Sequence, residues 1–294
     1  MAEVERARLG PTLVGSIAVL LWALLALLTS WAGGIPPFQL VAMTFAIAFL
    51  IALAGWLLRG LATLRVLRQP PLVWAVGVGG LFGYHFFYFM ALAHAPAVEA
   101  SLIAYLWPLL IVLFSALLPG ERLRWFHLAG AALGLLGAAV LVSRGGSVSF
   151  QAQYATGYLY AAACAFTWSS YSLLSRRLGH VPTDVIGGFC GTTAALALAC
   201  HLLLEQAVWP QGGQWLAVVG LGVGPVGAAF WVWDYGVKRG DIRVLGALSY
   251  LAPLLSTLLL IAFGQAPATA SVAVDCGLIV AGAVLASSDL KSAA

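Results

Sequence analysis

A few side chains in this sequence carry polar tips inside otherwise apolar runs. Tyr84, His85 and Tyr88 fall together in the run 71–93, and Ser101, Tyr105 and Trp107 in the run 97–118. Trp22, Trp168 and Tyr250 stand in runs of their own. Phenol, imidazole and indole groups recognise a ligand by ring contact and hydrogen bonding; they need not break a bond. Tyr84 and Tyr88 are four residues apart and share a helical face, with His85 about 100° round from Tyr84. The competing reading is core packing or an interfacial aromatic belt. The group lies in the middle of its run, which argues against a belt. Buried phenols and imidazoles in hydrocarbon need partners or water, so the expectation is a cavity lining. Ser101 and Tyr105 also share a face, whereas Trp107 points nearly opposite on a regular helix. Tyr105 and Trp107 line one cavity only if Pro108 disturbs the turn between them. For Trp22 and Trp168, packing between helices competes evenly with cavity lining.

Bond-making chemistry has no matching pattern. There is no P-loop, HExxH, GxSxG or Cys/His ligand cluster, so no enzyme activity, cofactor or metal is expected. Cys164, Cys190, Cys200 and Cys276 lie in apolar runs without CxxC spacing and read as small hydrophobes. Four acidic residues fall in or near the apolar runs. Glu99 and Glu205 lie near run ends, where an interface is wet. Asp234 precedes Lys238 by four residues and is expected to pair with it. Asp275 stands in the first turns of the last run, where a helix dipole favours a carboxylate.

The elements that position these residues follow from composition. The chain of 294 residues is 62% hydrophobic and 8% charged, against about 25% charged in soluble domains. That makes it an all-α polytopic membrane protein, embedded in a lipid bilayer. With about 20 apolar residues per span, ten transmembrane helices are predicted near 12–32, 38–58, 71–93, 97–118, 124–143, 155–175, 184–204, 214–237, 242–264 and 268–288. If the N-terminus is cytoplasmic, so is every Lys and Arg except Arg144: Arg6, Arg8, Arg59, Arg65, Arg68, Arg122, Arg124, Arg176, Arg177, Lys238, Arg239, Arg243 and Lys291. This bias predicts that both N- and C-termini are cytoplasmic. The formal charge of +4 reports that orientation, and no nucleic-acid partner is expected.

The chain also repeats itself. Tyr105-Leu106-Trp107-Pro108-Leu109-Leu110 recurs 145 residues later as Tyr250-Leu251-Ala252-Pro253-Leu254-Leu255. Gly79 falls on Gly224 and Gly137 on Gly282; one residue out of frame, Trp22 falls on Trp168 and Pro36 on Pro182. Five helices per half is an odd number, so the second half enters the membrane inverted, a common plan in secondary transporters. The halves are 1–148 and 149–294, forming one structural unit. Pro108 and Pro253 are the expected hinges, and Tyr250 is expected to line the cavity like its mate Tyr105. Small-residue stripes at Ala75, Gly79 and Gly83, at Gly220, Gly224 and Ala228, and at Gly130 and Gly134 read as close-packing faces.

The segment Tyr105 to Val142, with Pro108, the turn Gly120-Glu121-Arg122-Leu123 and Gly130, Gly134 and Gly137, resembles the EamA repeat of the drug/metabolite transporter superfamily. Leu21-Trp22 followed by Gly34-Ile35-Pro36-Pro37 is similar to the start of that repeat. Within the superfamily, Gly83-Tyr84-His85-Phe86-Phe87-Tyr88, Ala95-Pro96-Ala97 and Tyr105-Leu106-Trp107-Pro108 resemble the aromatic amino acid exporter branch (the YddG type). The second half departs from the pattern, with Gly264-Gln265-Ala266 where the first has Gly120-Glu121-Arg122.

The resemblance implies a secondary transporter of the bacterial cytoplasmic membrane that exports aromatic and other large apolar amino acids by alternating access, working as a monomer. Tyr84, His85, Tyr88, Tyr105, Trp107, Trp168 and Tyr250 would meet the substrate. A lipophilic drug or metabolite exporter is the alternative within the superfamily, and a non-transporting scaffold or receptor the alternative outside it. Every Lys and Arg lies at a helix end or loop, which argues against a phosphorylated substrate. No acidic residue replaces His85 as a relay. With the imidazole serving as a neutral hydrogen-bond partner, transport without obligatory proton coupling is expected.

Overall fold

In hydrocarbon, backbone N–H and C=O groups must pair within the segment that carries them, so an apolar chain folds as helices. The computed structural model describes residues 2–121, 123–143, 146, 148–267 and 270–286, and no strand occurs among them. The helices are α1 (Ala2–Ala23), α2 (Leu25–Trp31), α3 (Pro37–Leu58), α4 (Pro71–His94), α5 (Ala97–Ala104), α6 (Trp107–Ser115) and α7 (Trp125–Ser143). They continue as α8 (Ala155–Arg177), α9 (Ile186–Leu204), α10 (Gln214–Val223), α11 (Ala229–Arg239), α12 (Ile242–Leu248), α13 (Leu251–Ala262) and α14 (Ala270–Ala286).

Eight segments of the described chain are long and apolar enough to cross a membrane: 7–31, 37–58, 71–94, 97–115, 125–143, 183–204, 214–239 and 242–262. The other two expected runs coincide with α8 and α14. α8 has the length, at 23 residues, but carries Ser169, Ser170, Tyr171, Ser172 and Ser175 along it. α14 has 17 residues. Part of the expected 268–288 run lies outside the described residues, as do Arg122, Arg144 and Lys291 of the charge pattern.

Several spans are broken where the sequence predicts a loosened turn. The span 97–115 is broken at Tyr105–Leu106, just before Pro108 in the first turn of α6, and Pro253 likewise follows the break between α12 and α13. Two further breaks were not anticipated. The first span changes course at Leu24 between α1 and α2. The run 214–237 is interrupted by a π-turn at Gly224–Ala228, where Pro225 cannot donate its backbone bond.

α1 packs along α11, α3 along α9, α4 along α8 and α7 along α14. Small residues set two of these crossings. A Cβ on Gly15 would lie 2.9 Å from the Gly236 backbone, and one on Gly130 would lie 2.6 Å from the Gly282 carbonyl. On α4 the close-packing face is not the one expected. A Cβ at Gly79 would meet nothing within 4 Å, whereas one at Gly77 would strike the Phe189 ring and one at Gly80 the Tyr171 ring. Gly77 and Gly80 carry no stripe of their own, so the more regular Ala75–Gly79–Gly83 series drew attention to the wrong face.

The two ends of the bundle are tied differently. At the end rich in Lys and Arg, Glu121 in the α6–α7 loop receives Arg8 of α1 at 3.0 Å and Arg176 of α8 at 2.5 Å, with Arg243 of α12 at 3.6 Å. Arg176 also donates to the Val237 and Gly240 carbonyls. At the opposite end the ties are mostly neutral. Ser30 donates to Gln265, Gln214 to the Gly33 carbonyl and Gln39 to the Val208 carbonyl. Glu205, hydrogen-bonded to His201, accepts from Phe38 and Gln39 at the start of α3.

Candidate functional site

The breaks at Leu24, Tyr105–Leu106, Ser249–Tyr250 and Pro225 surround one cavity of about 580 Å³, within the usual size range of small-molecule sites. Its floor is a cluster of tryptophans. Trp22, Trp107, Trp168 and Trp233 contact one another in all six pairs, with ring centroids 5.0–6.3 Å apart. Trp233 is fully buried beneath the others and donates its indole N–H to Ser172. From this floor the cavity runs toward the end of the bundle where α2 stops and α3 begins, past Thr29, Ile35 and Pro37.

Six of the seven substrate-contact residues expected from sequence line this space: Tyr84, His85, Tyr88, Tyr105, Trp107 and Trp168. Tyr84 and Tyr88 stack with ring centroids 6.2 Å apart and planes within 5°. Tyr84 also lies against Trp168, which makes it part of the wall above the floor. The Tyr88 hydroxyl is 3.3 Å from Ser101 Oγ. His85 donates from Nδ1 to the Leu81 carbonyl at 2.7 Å, so Nε2 of the neutral ring is an acceptor. Tyr105 and Trp107 share the cavity because the helix is broken between them, the condition the sequence set. Among the described residues, no Asp, Glu, Lys or Arg lines it.

Tyr250 is the exception, and its placement corrects the expectation. It is fully buried and packs with Val112, Ala131 and Leu254, its ring against Gly134. Its hydroxyl donates to the Tyr105 carbonyl at 3.1 Å and accepts from the Leu109 N–H at 3.2 Å. Those groups would bond to each other in a regular helix. Tyr250 therefore enters the opened turn beside Pro108 and satisfies both sides of the break. The repeat equates Tyr250 with Tyr105, but one reinforces the break and the other faces the cavity. Tyr250→Phe is expected to cost about 1–3 kcal/mol, the penalty for buried groups left unpaired, read as a lower melting temperature in detergent. An unchanged melting temperature contradicts this role.

Pro108 is buried beside the break, and Pro253 lines the cavity. In a regular helix the donors to the Ala104 and Ser249 carbonyls would come from positions 108 and 253. Both are proline, and Ala104 and Ser249 both line the cavity. Thr44, Phe89, Pro225, Phe230 and Ser256 also line it and were not singled out from sequence. Pro225 gave a signal, a proline inside an apolar run; the others look like ordinary helix residues.

The intramembrane acids sort as follows. Asp234 and Lys238 pair at 2.7 Å, as the spacing predicts. Asp275 is buried, and neither carboxylate oxygen has a hydrogen-bond partner among the described residues.

Comparison with known proteins adds to this geometry. The EamA-like transporter family matches twice, over residues 11–143 and 155–288. The aromatic amino acid exporter YddG of Ancylobacter novellus is 59% identical over 280 residues, covering 95% of this chain and 97% of the relative. A probable terminal-alkyne amino-acid exporter of Streptantibioticus cattleyicolor is 28% identical over 84% of this chain and 86% of its own length. A solved crystal structure superposes with a TM-score of 0.91 at 57% identity, covering 97% of this chain and 99% of that one.

Proposed function

The chain belongs to the EamA-like transporter family, and from that premise we propose that it exports aromatic and other large apolar amino acids by alternating access, as a multi-pass protein of the bacterial cytoplasmic membrane. The observation that carries the reading is the cavity: aromatic walls, a tryptophan floor and, among the described residues, no charged side chain in its lining. Such walls stack on an aromatic side chain. The helix ends at the proline breaks supply the polar contacts for a zwitterion. The Ala104 carbonyl and the acceptor nitrogen of His85 suit an ammonium, and the first turn of α13 suits a carboxylate. The same substrate class is named for the relative in Ancylobacter novellus.

The architecture in this reading is ten transmembrane helices in two inverted repeats, 1–148 and 149–294. Two family matches support it. So does the packing: exchanging the halves turns α1 on α11 into α8 on α4, and leaves α3 on α9 and α7 on α14 as they are. The end rich in Lys and Arg is cytoplasmic, so the cavity faces outward. Pro108 and Pro253 act as hinges of the broken helices. One chain supplies the whole cavity, which supports function as a monomer, and no lining acid requires a coupled proton.

Exchange in proteoliposomes tests this function. Phenylalanine, tryptophan, tyrosine and leucine should compete for labelled phenylalanine, glycine and aspartate should not, and a pH gradient should not concentrate the label. Competition by lipophilic cations but not by amino acids would make it a drug exporter. Absence of any flux would favour a non-transporting role.

A further inference from the structure

We propose that the closed, basic end of the bundle holds a second substrate contact: an intake vestibule where Asp234 and Lys238 receive the charged head group of a zwitterionic amino acid before it reaches the aromatic cavity. The inference rests on the transport reading and on the repeat. Residues that line the open cavity have counterparts 145 or 146 positions away in the other half. Thr29 corresponds to Ser175, Ile35 to Val181, Leu221 to Val76 and, past the extra residue of the π-turn, Tyr88 to Asp234. These four counterparts do not scatter. They all line one small void on the other side of the tryptophan floor, with Lys238 beside them. Its volume is about 10 Å³, room for about one water. The void is therefore the collapsed counterpart of the open cavity.

Two rings wedge α8 and α9 against α4 there, Phe189 as a lining residue of the void and Tyr171 outside it. Phe189 sits against Gly77 and Tyr171 against Gly80, so closely that a Cβ on either glycine would lie 2.2 or 2.4 Å from ring carbons. Both rings come from α8 and α9, so separating those helices from α4 would empty these seats and enlarge the void.

The charged pair has no charged parallel in the open cavity, where Tyr88 stands in place of Asp234 and Leu92 in place of Lys238. Asp234 accepts from Lys238 and from Thr183 at 2.7 Å each, and Lys238 also donates to the Val181 carbonyl at 2.9 Å. Burying such a pair seldom adds stability over apolar residues. In the closed state its charges neutralise each other. Once the helices part, the carboxylate is free for a substrate ammonium and the ammonium for a substrate carboxylate. This gives the intake side a charged contact that the aromatic cavity lacks.

Vesicles of known sidedness test the proposal with Asp234→Asn/Lys238→Gln. The KM for phenylalanine offered at the cytoplasmic face should rise by about tenfold, the weight of one charge-assisted contact, with the KM at the outer face unchanged. In a cysteine-free chain carrying Ser175→Cys, an impermeant thiol reagent should label inside-out vesicles, and cytoplasmic phenylalanine should change the rate. This labelling reads the vestibule even if the double variant folds poorly. An unchanged cytoplasmic KM, an equal shift at both faces, or no labelling of Ser175→Cys would overturn the vestibule. Absence of phenylalanine flux in the unsubstituted protein would instead overturn the transport reading.

Discussion

Alanine in place of Trp107 is expected to lower phenylalanine export by about a hundredfold while leaving most of the protein folded. Trp107 contacts the three other floor tryptophans and faces the cavity. Truncating an aromatic anchor at a binding site costs about 2–4 kcal/mol, and about 3 kcal/mol corresponds to about a hundredfold. Part of that loss falls on substrate contact and part on the seal between the cavity and the closed end. Tyr84→Ala and Tyr88→Ala each open one wall but leave the tryptophan floor in place, and should reduce flux by about tenfold. Leu203→Ala is the control. Leu203 is 83% exposed on α9, where it would face lipid, and flux should not change. Initial rates per unit of monodisperse protein make the comparison. Equal loss of rate and of monodisperse yield would mean that Trp107 only packs the core.

Glu121→Gln should act at the other end of the cycle. The Glu121 carboxylate joins the arginines of α1, α8 and α12. Its repeat counterpart is Gln265, which makes one neutral bond to Ser30. The closed end is thus locked by charge, while the end toward which the cavity runs is tied by amides and hydroxyls. Replacing Glu121 by the residue found in the other half takes the shared carboxylate from three guanidinium groups, of which Arg243 also pairs with Asp241. Breaking a buried charge network costs about 3–5 kcal/mol. The expected result is a fall in melting temperature of several degrees, together with faster labelling of Ser175→Cys from the cytoplasmic side. Asp241 gives the cluster a pH dependence. Burial opposes its charge, but the hydrogen bond and charge of Arg243 outweigh burial and hold the carboxyl below its ordinary range. A depressed carboxylate stabilises the fold above its unfolded value, and that contribution is lost as pH falls through the folded value. Melting temperature should therefore hold from neutral pH into the ordinary carboxylate range and drop only below it. A melting temperature insensitive to Glu121→Gln would show that the cluster is incidental.

Much of this arrangement is legible in the sequence because the rules involved are local. Apolar run length places the spans, a proline in mid-run places a break, and a polar tip at mid-depth asks for a cavity. Tyr84, His85 and Tyr88 follow from such rules, whereas for Trp168 packing and lining stood even and only the fold decides between them. Tyr105 and Trp107 were legible as a conditional: both face the cavity if the helix breaks between them, and it does. Tyr250 was misplaced because repeat arithmetic transfers position and not partner. Its hydroxyl reaches across to α5 and α6, which no spacing reveals. Glu121 stood out as a motif residue, but its three arginines come from distant segments and meet only in the folded bundle. Gly77 and Gly80 were missed because their role depends on where Phe189 and Tyr171 land.

The most direct measurement of the central claim uses Ser256, which lines the cavity on α13. In a chain freed of its four cysteines and carrying Ser256→Cys, an impermeant thiol reagent is added to intact cells. The account predicts labelling from outside, slowed by phenylalanine or tryptophan in the medium and unaffected by aspartate. Failure to label from outside, or labelling that no aromatic amino acid slows, would contradict an outward-facing aromatic site for amino acids.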